Sequence, residues 1–211
     1  MKLYVSSYRI PTPSDLAELL GKPLQDVSVG LITNAKDYYA KRARDLGVGK
    51  LEAYMGLLGL NVETVDFRDY DNPDSLKKKL AAFDLLWAMG GNTYMLRYEM
   101  RRSGFEKIIK DLLDTGVVYG GDSAGALVVG QSIAGVESAD EPEFAEEYIA
   151  DGLGLVPYTI LPHVDNPEFA DVLPVFKETH REERVIELKD SQAAIFNGND
   201  YRIVEAKTQL K

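Results

Sequence analysis

The sequence predicts an α/β protein: a three-layer αβα sandwich built on a mostly parallel sheet. Three observations lead there. Short β-branched apolar runs alternate with segments of helical periodicity, the pattern that parallel strands with crossover helices require. Two of those runs end in glycine turns, at 90–93 and 120–125, that open helices. The chain has 211 residues of which 45% are hydrophobic, enough for one sizeable core, so residues 1–211 are expected to form a single domain.

In chain order, Leu3–Ser6 reads as the first strand and Val27–Thr33 as the second. Ala35–Leu58 is a long helical region, expected to break or loosen near Gly47-Val48-Gly49 because glycine weakens a helix interior. Asn61–Phe67 is a strand, Asn72-Pro73-Asp74-Ser75 a helix-start signal, and Ser75–Phe83 the helix it opens. Asp84–Met89 is a strand that turns through Gly90-Gly91-Asn92-Thr93 into a helix over Tyr94–Ser103. A helix over Phe105–Asp114 precedes the strand Val117–Tyr119, and Ala124–Val129 is helical again. The last third is less regular, with a strand near Tyr158–Leu161, a charged helix over about Pro174–Leu188 and a hairpin from Gln192 to Val204.

Composition narrows the function. A net charge of −10 argues against a general nucleic-acid binder or an anionic membrane surface, both of which want a basic face. Neither a signal-peptide core nor a run of roughly 20 apolar residues is present, so a soluble cytoplasmic protein is expected. With no cysteine, thiolate metal sites and cysteine nucleophiles are excluded. The acidic segment Glu137–Glu143 reads as a solvated loop or a cation binder without regular metal-ligand spacing, and neither Gly-x-Gly-x-x-Gly nor a Walker pattern is present; no metal or organic cofactor is expected.

The chemistry concentrates in Gly121-Asp122-Ser123-Ala124-Gly125, a Gly-x-Ser-x-Gly pattern between a strand and a helix. A tight turn there projects the serine hydroxyl, the flanking glycines leave room for it, and the Ala124 amide points where an oxyanion would form. A second amide donor is commonly a glycine on a neighbouring strand end, which Gly91 supplies; Asn92 or Thr93 can cap the helix that follows. Only two histidines are available as base. His163, at the end of a strand in Leu161-Pro162-His163-Val164-Asp165-Asn166, is favoured, while His180 in a charged helical stretch reads as a solvated surface residue. The acid stays open among Asp140, Asp165, Glu168, Asp190 and Asp200.

Gly90-Gly91-Asn92-Thr93, the elbow from Tyr119 to Ala126 and the 161–166 segment occur in the order and spacing of the peptidase E family. The chain resembles a divergent member over roughly residues 27–204. The resemblance implies a fold similar to class I glutamine amidotransferases and a serine peptidase acting on dipeptides or short peptides. It implies Ser123 as nucleophile, His163 as general base, Gly91 and Ala124 as oxyanion donors, and Asp140 as the triad acid. Asn92 and Arg181 are the candidate substrate-binding residues, Arg181 as receptor for an acidic side chain, with Arg97 and Arg184 as alternates. The chain departs from the family in carrying Asn197 where a Glu precedes a Gly-Asn pair, and in having His180 interrupt the Glu-Thr-Arg order of the arginine helix. Expected partners are a small peptide substrate and, as an assembly left open, a second copy in a homodimer. The alternatives are a catalytically impaired homologue that binds a small molecule or peptide, and an αβ-hydrolase esterase. The esterase fits the elbow but not the short interval from serine to histidine with little sheet after it.

Overall fold

The computed structural model describes residues 1–198 and 200–206. Five parallel strands, β1 (Lys2–Ser6), β2 (Ser28–Ile32), β3 (Asn61–Val65), β4 (Leu85–Ala88) and β5 (Val118–Asp122), form most of one sheet. A small separate sheet pairs β6 (Thr159–Leu161) in parallel with β7 (Val185–Glu187). The hairpin β8 (Gln192–Asn197) and β9 (Asp200–Glu205) completes the main sheet by pairing antiparallel with β1, giving the order β3-β2-β4-β5-β1-β8-β9.

The inner strands β1, β2, β4 and β5 are buried on both faces, and successive side chains feed two separate cores, as the two-residue period of a strand demands. Leu3, Val5, Leu86, Ala88 and Tyr119 face one core; Tyr4, Leu85, Trp87 and Val118 face the other. Helices α1 (Pro13–Leu20) and α2 (Lys41–Leu57) cover the second core through Leu16, Leu19, Val48, Leu51 and Met55. The first core is covered by α3 (Pro73–Leu80), α4 (Thr93–Arg102), α5 (Phe105–Asp114), α6 (Ala124–Leu127) and α7 (Val172–Thr179). This is the three-layer arrangement read from the sequence.

Four local readings are corrected. Helix α1 went unpredicted, although Pro13 opens it and Gly21 closes it at a left-handed φ of +75°. Helix α2 runs unbroken through Gly47-Val48-Gly49 because the buried stripe Val48, Leu51, Met55 continues across the glycines, so packing outweighs their low propensity. The expected helix over 174–188 is α7 followed by strand β7. Ile186 and Leu188 alternate into the core there, and the strand takes up the free edge of β6. His180, expected on the surface, is 2% exposed and bonds the Ala134 carbonyl through Nε2 at 2.8 Å.

Candidate active site

Three neighbouring strands of the main sheet, β4, β5 and β1, deliver the turn at Gly90-Gly91, Ser123 and the Ser7-Tyr8-Arg9 loop to one end of the sheet. The small sheet brings its own carboxyl ends to the same place, His163 just after β6 and Asp190 just after β7. Together they border a cleft of about 490 Å³. Open parallel sheets hold their sites at strand carboxyl ends because several loops converge there.

The elbow is as tight as its spacing implied. Ser123 has φ 52° and ψ −113°, outside the regions ordinary residues favour. A methyl group on Gly125 would come within 2.0 Å of the Ala88 carbonyl oxygen, so only glycine lets α6 pack this close to β4. Gly91, at φ +155°, likewise has no room for a side chain, since a Cβ would lie 2.2 Å from the Ala35 oxygen. The non-glycine residues of positive φ among the described residues are Arg9, Ser123 and His163, and all three line this cleft. Backbone strain collects where function needs an unusual geometry.

The Ser123 Oγ lies 3.0 Å from His163 Nε2. On the other side of the ring, His163 Nδ1 is 2.6 Å from Asp190 Oδ1. Asp190 also accepts from the Ser7 hydroxyl at 2.8 Å and from Asn166 Nδ2 at 3.0 Å. Burial alone would raise its carboxyl, but the hydrogen bonds from His163, Ser7 and Asn166 outweigh burial and hold it below the ordinary aspartate value. The Ser7 oxygen in turn accepts the His163 backbone N–H at 2.7 Å, so the residue just after β1 anchors both His163 and Asp190. Among the described residues the Gly91 and Ala124 amides have no acceptor; Ala124 is the first residue of α6, where an N–H has no partner within the helix.

Asp140, the acid implied by the resemblance, does not bond His163. It accepts from the Thr93 amide at 3.0 Å and from the Thr93 hydroxyl, and so holds its loop against the start of α4. Burial pushes its carboxyl up, against the two Thr93 bonds. Of the other acids, Asp165 receives the Asp190 amide at 2.9 Å and Asp200 sits in the β8–β9 hairpin. Glu168 lines the cleft, with its own amide bonded to Asn166. Asn197 is at the far end of the sheet, opposite Lys2, while Asp190 lies just before the other end of β8. The substitution at 197 therefore does not touch this site. Asn199 lies outside the described residues.

The expected substrate-binding residues are corrected as well. Asn92 is 1% exposed and fully engaged, its Oδ1 capping α4 at the Met95 amide and its Nδ2 bonding the Glu141 carbonyl. Arg181 is exposed and pairs with Glu178 at 3.2 Å, outside the cleft. Arg97 is buried against Glu106, and Arg184 lies over the Tyr158 ring. The cleft instead carries Arg9, Lys36 and Lys50, and among the described residues none of the three pairs with a carboxylate. Arg9 rests on the Tyr8 and Tyr54 rings, Lys36 on Tyr39. Sequence reasoning missed Ser7 and Arg9 because no helix or motif marks the loop after β1; Asp190 was visible only as one acid among five.

Residues 37–204 match Peptidase family S51. The chain belongs to that family. It is 35% identical over 116 residues to an uncharacterized peptidase of Listeria innocua, covering 54% of this chain and 55% of that protein. It is 31% identical over 112 residues to a peptidase E of Shewanella putrefaciens, covering 53% of this chain and 45% of that one. The chain thus spans about half the length of these two relatives. Among solved structures, a Listeria monocytogenes EGD-e protein provisionally named peptidase E superposes with a TM-score of 0.80 at 25% identity, over 98% of both chains. A peptidase from an acI-B1 Actinobacterium gives 0.72 at 16% identity over 97% of this S51 chain and 87% of its own, a likeness of fold alone. No helix among the described residues of this S51 protein is long and apolar enough to cross a membrane.

Proposed function

We propose that this S51 protein is a serine peptidase that hydrolyses dipeptides or short peptides through an acyl-enzyme on Ser123, in the cytoplasm. The observation that carries the reading is the continuous line Ser123 Oγ, His163 Nε2, His163 Nδ1, Asp190 Oδ1, with contacts of 3.0 and 2.6 Å. His163 takes the Ser123 proton as Oγ attacks the peptide carbonyl. The Gly91 and Ala124 amides receive the oxyanion, and His163 then protonates the departing amine. Water, deprotonated by the same imidazole, releases the acyl group. Asp190 fixes the imidazole tautomer and balances its charge while ionised.

An acidic residue on the acyl side of the scissile bond is the preference we infer. A chain of net charge −10 repels anionic peptides unless the cleft supplies local cations, and Arg9, Lys36 and Lys50 supply them without a carboxylate partner. The impaired-homologue reading loses its motive, since Asn197 lies away from the cleft. A panel of dipeptides and aminoacyl arylamides run on wild type and Ser123→Ala tests the proposal. Turnover by wild type and its loss in the variant is expected; equal residual rates in the two proteins overturn it.

A further inference from the structure

The imidazole of His163 is held at its two nitrogens, Nε2 by Ser123 and Nδ1 by Asp190, with the Ser7 hydroxyl 3.3 Å from Nδ1 as well. These contacts act at opposite edges of the ring. They leave one freedom open, a tilt of the ring about the line joining the two nitrogens. His163 itself sits just beyond β6 at a φ of 62°, its backbone N–H held by the Ser7 oxygen. A contact on the ring face restrains that tilt.

That contact is Phe169. Its ring lies 4.3 Å from the imidazole, centroid to centroid, at an interplanar angle of 11°. It is carried on the single 3-10 turn Pro167–Phe169, whose first turn is capped by Asn166, with Oδ1 accepting the Glu168 amide at 3.0 Å. The same Asn166 side chain donates to Asp190. One residue therefore sets both the acid on the edge of the imidazole and the aromatic ring on its face.

We propose that Phe169 is a positioning residue for His163: it holds the imidazole in the plane that joins Ser123 to Asp190 and presents an aromatic face to the imidazolium formed during attack. Parallel stacking restrains the tilt in the neutral ring. The negative face of the π system favours the cationic ring over solvent contact at that side. The inference rests on the peptidase reading of Ser123 and His163.

Kinetics of Phe169→Leu, Phe169→Tyr and Phe169→Trp on one dipeptide test it, alongside the rate at which a small fluorophosphonate labels Ser123. The leucine variant is expected to lose on the order of 10- to 100-fold in kcat with KM little changed, the scale that small misplacements of catalytic groups produce. Labelling should slow in step, and the tyrosine and tryptophan variants should recover most of both rates. A leucine variant with wild-type kcat, a rise in KM alone, or aromatic variants as slow as leucine would overturn the role. Failure of the wild type to label at Ser123 brings down the peptidase reading itself, whereas wild-type labelling matched by the leucine variant removes only Phe169.

Discussion

Asp190 Oδ1 and His163 Nδ1 stand 2.6 Å apart although 27 residues separate them, because β6 and β7 run parallel and in register and end side by side. Leu161 pairs with Glu187, and the Leu188 amide bonds back to the Leu161 carbonyl at 2.9 Å, which brings the two loops that follow into contact. The acid of the site is therefore a product of a two-stranded sheet.

Asp190→Asn should reduce kcat by about 10⁴-fold, since an amide at that point no longer enforces the productive tautomer. Asp140→Asn should cost far less, because Asp140 bonds Thr93 rather than the imidazole. Steady-state kinetics of the two variants on the same peptide check the ranking, and a larger loss in Asp140→Asn would reverse the assignment.

Arg9→Met should erase a preference for Asp-Leu over Ala-Leu, by roughly 10- to 100-fold if the guanidinium makes one charged hydrogen bond to the substrate. Arg181→Met should leave the preference intact, as that side chain is exposed and paired with Glu178. Selectivity that survives Arg9→Met and disappears in Arg181→Met contradicts the placement.

Gly125→Ala should destabilise the fold by about 3 kcal/mol or more, at the upper end for overpacking, because its Cβ meets backbone with little freedom to yield. For a chain of this size that is a melting shift of roughly 6–12 °C. Gly49→Ala, where a Cβ meets nothing within 4 Å, is expected to hold or raise the melting temperature.

Asp66 gives a pH signature. Burial acts to raise its carboxyl, but hydrogen bonds from Arg68 and Asn34 prevail and bring it down to about 2 from 3.8. A carboxyl lowered on folding stabilises the native state at pH values above the unfolded figure, and that contribution fades as the pH falls through the folded one. The stability gap between wild type and Asp66→Asn should thus be full above about pH 4 and shrink towards pH 2. Chemical denaturation across that range measures it, and a gap independent of pH refutes it.

The layer order, the elbow, the second glycine turn and His163 were legible in the sequence because each is a local pattern: alternation, a strand-to-helix turn, a histidine at a strand end. The acid was not, because the choice among five carboxylates depends on strand β7, which the charged residues 181–184 disguised as the end of a helix. Arg181 misled for a related reason. A helical arginine in an acidic segment reads the same whether it faces a ligand or its own glutamates. The packing that distinguishes them is set by α7 ending at Thr179.

The two-sheet construction divides the proposed machinery along the chain as well as in space. Ser123 and the Gly91 and Ala124 amides are present once the chain has reached α6, while His163 and Asp190 come only with the loops after β6 and β7, and the residue that bonds both, Ser7, lies near the start of the chain. On the proposed mechanism, a chain that had folded only its first five strands would carry an inert hydroxyl. Competence for the proposed hydrolysis would then depend on the carboxyl-terminal third closing over the rest.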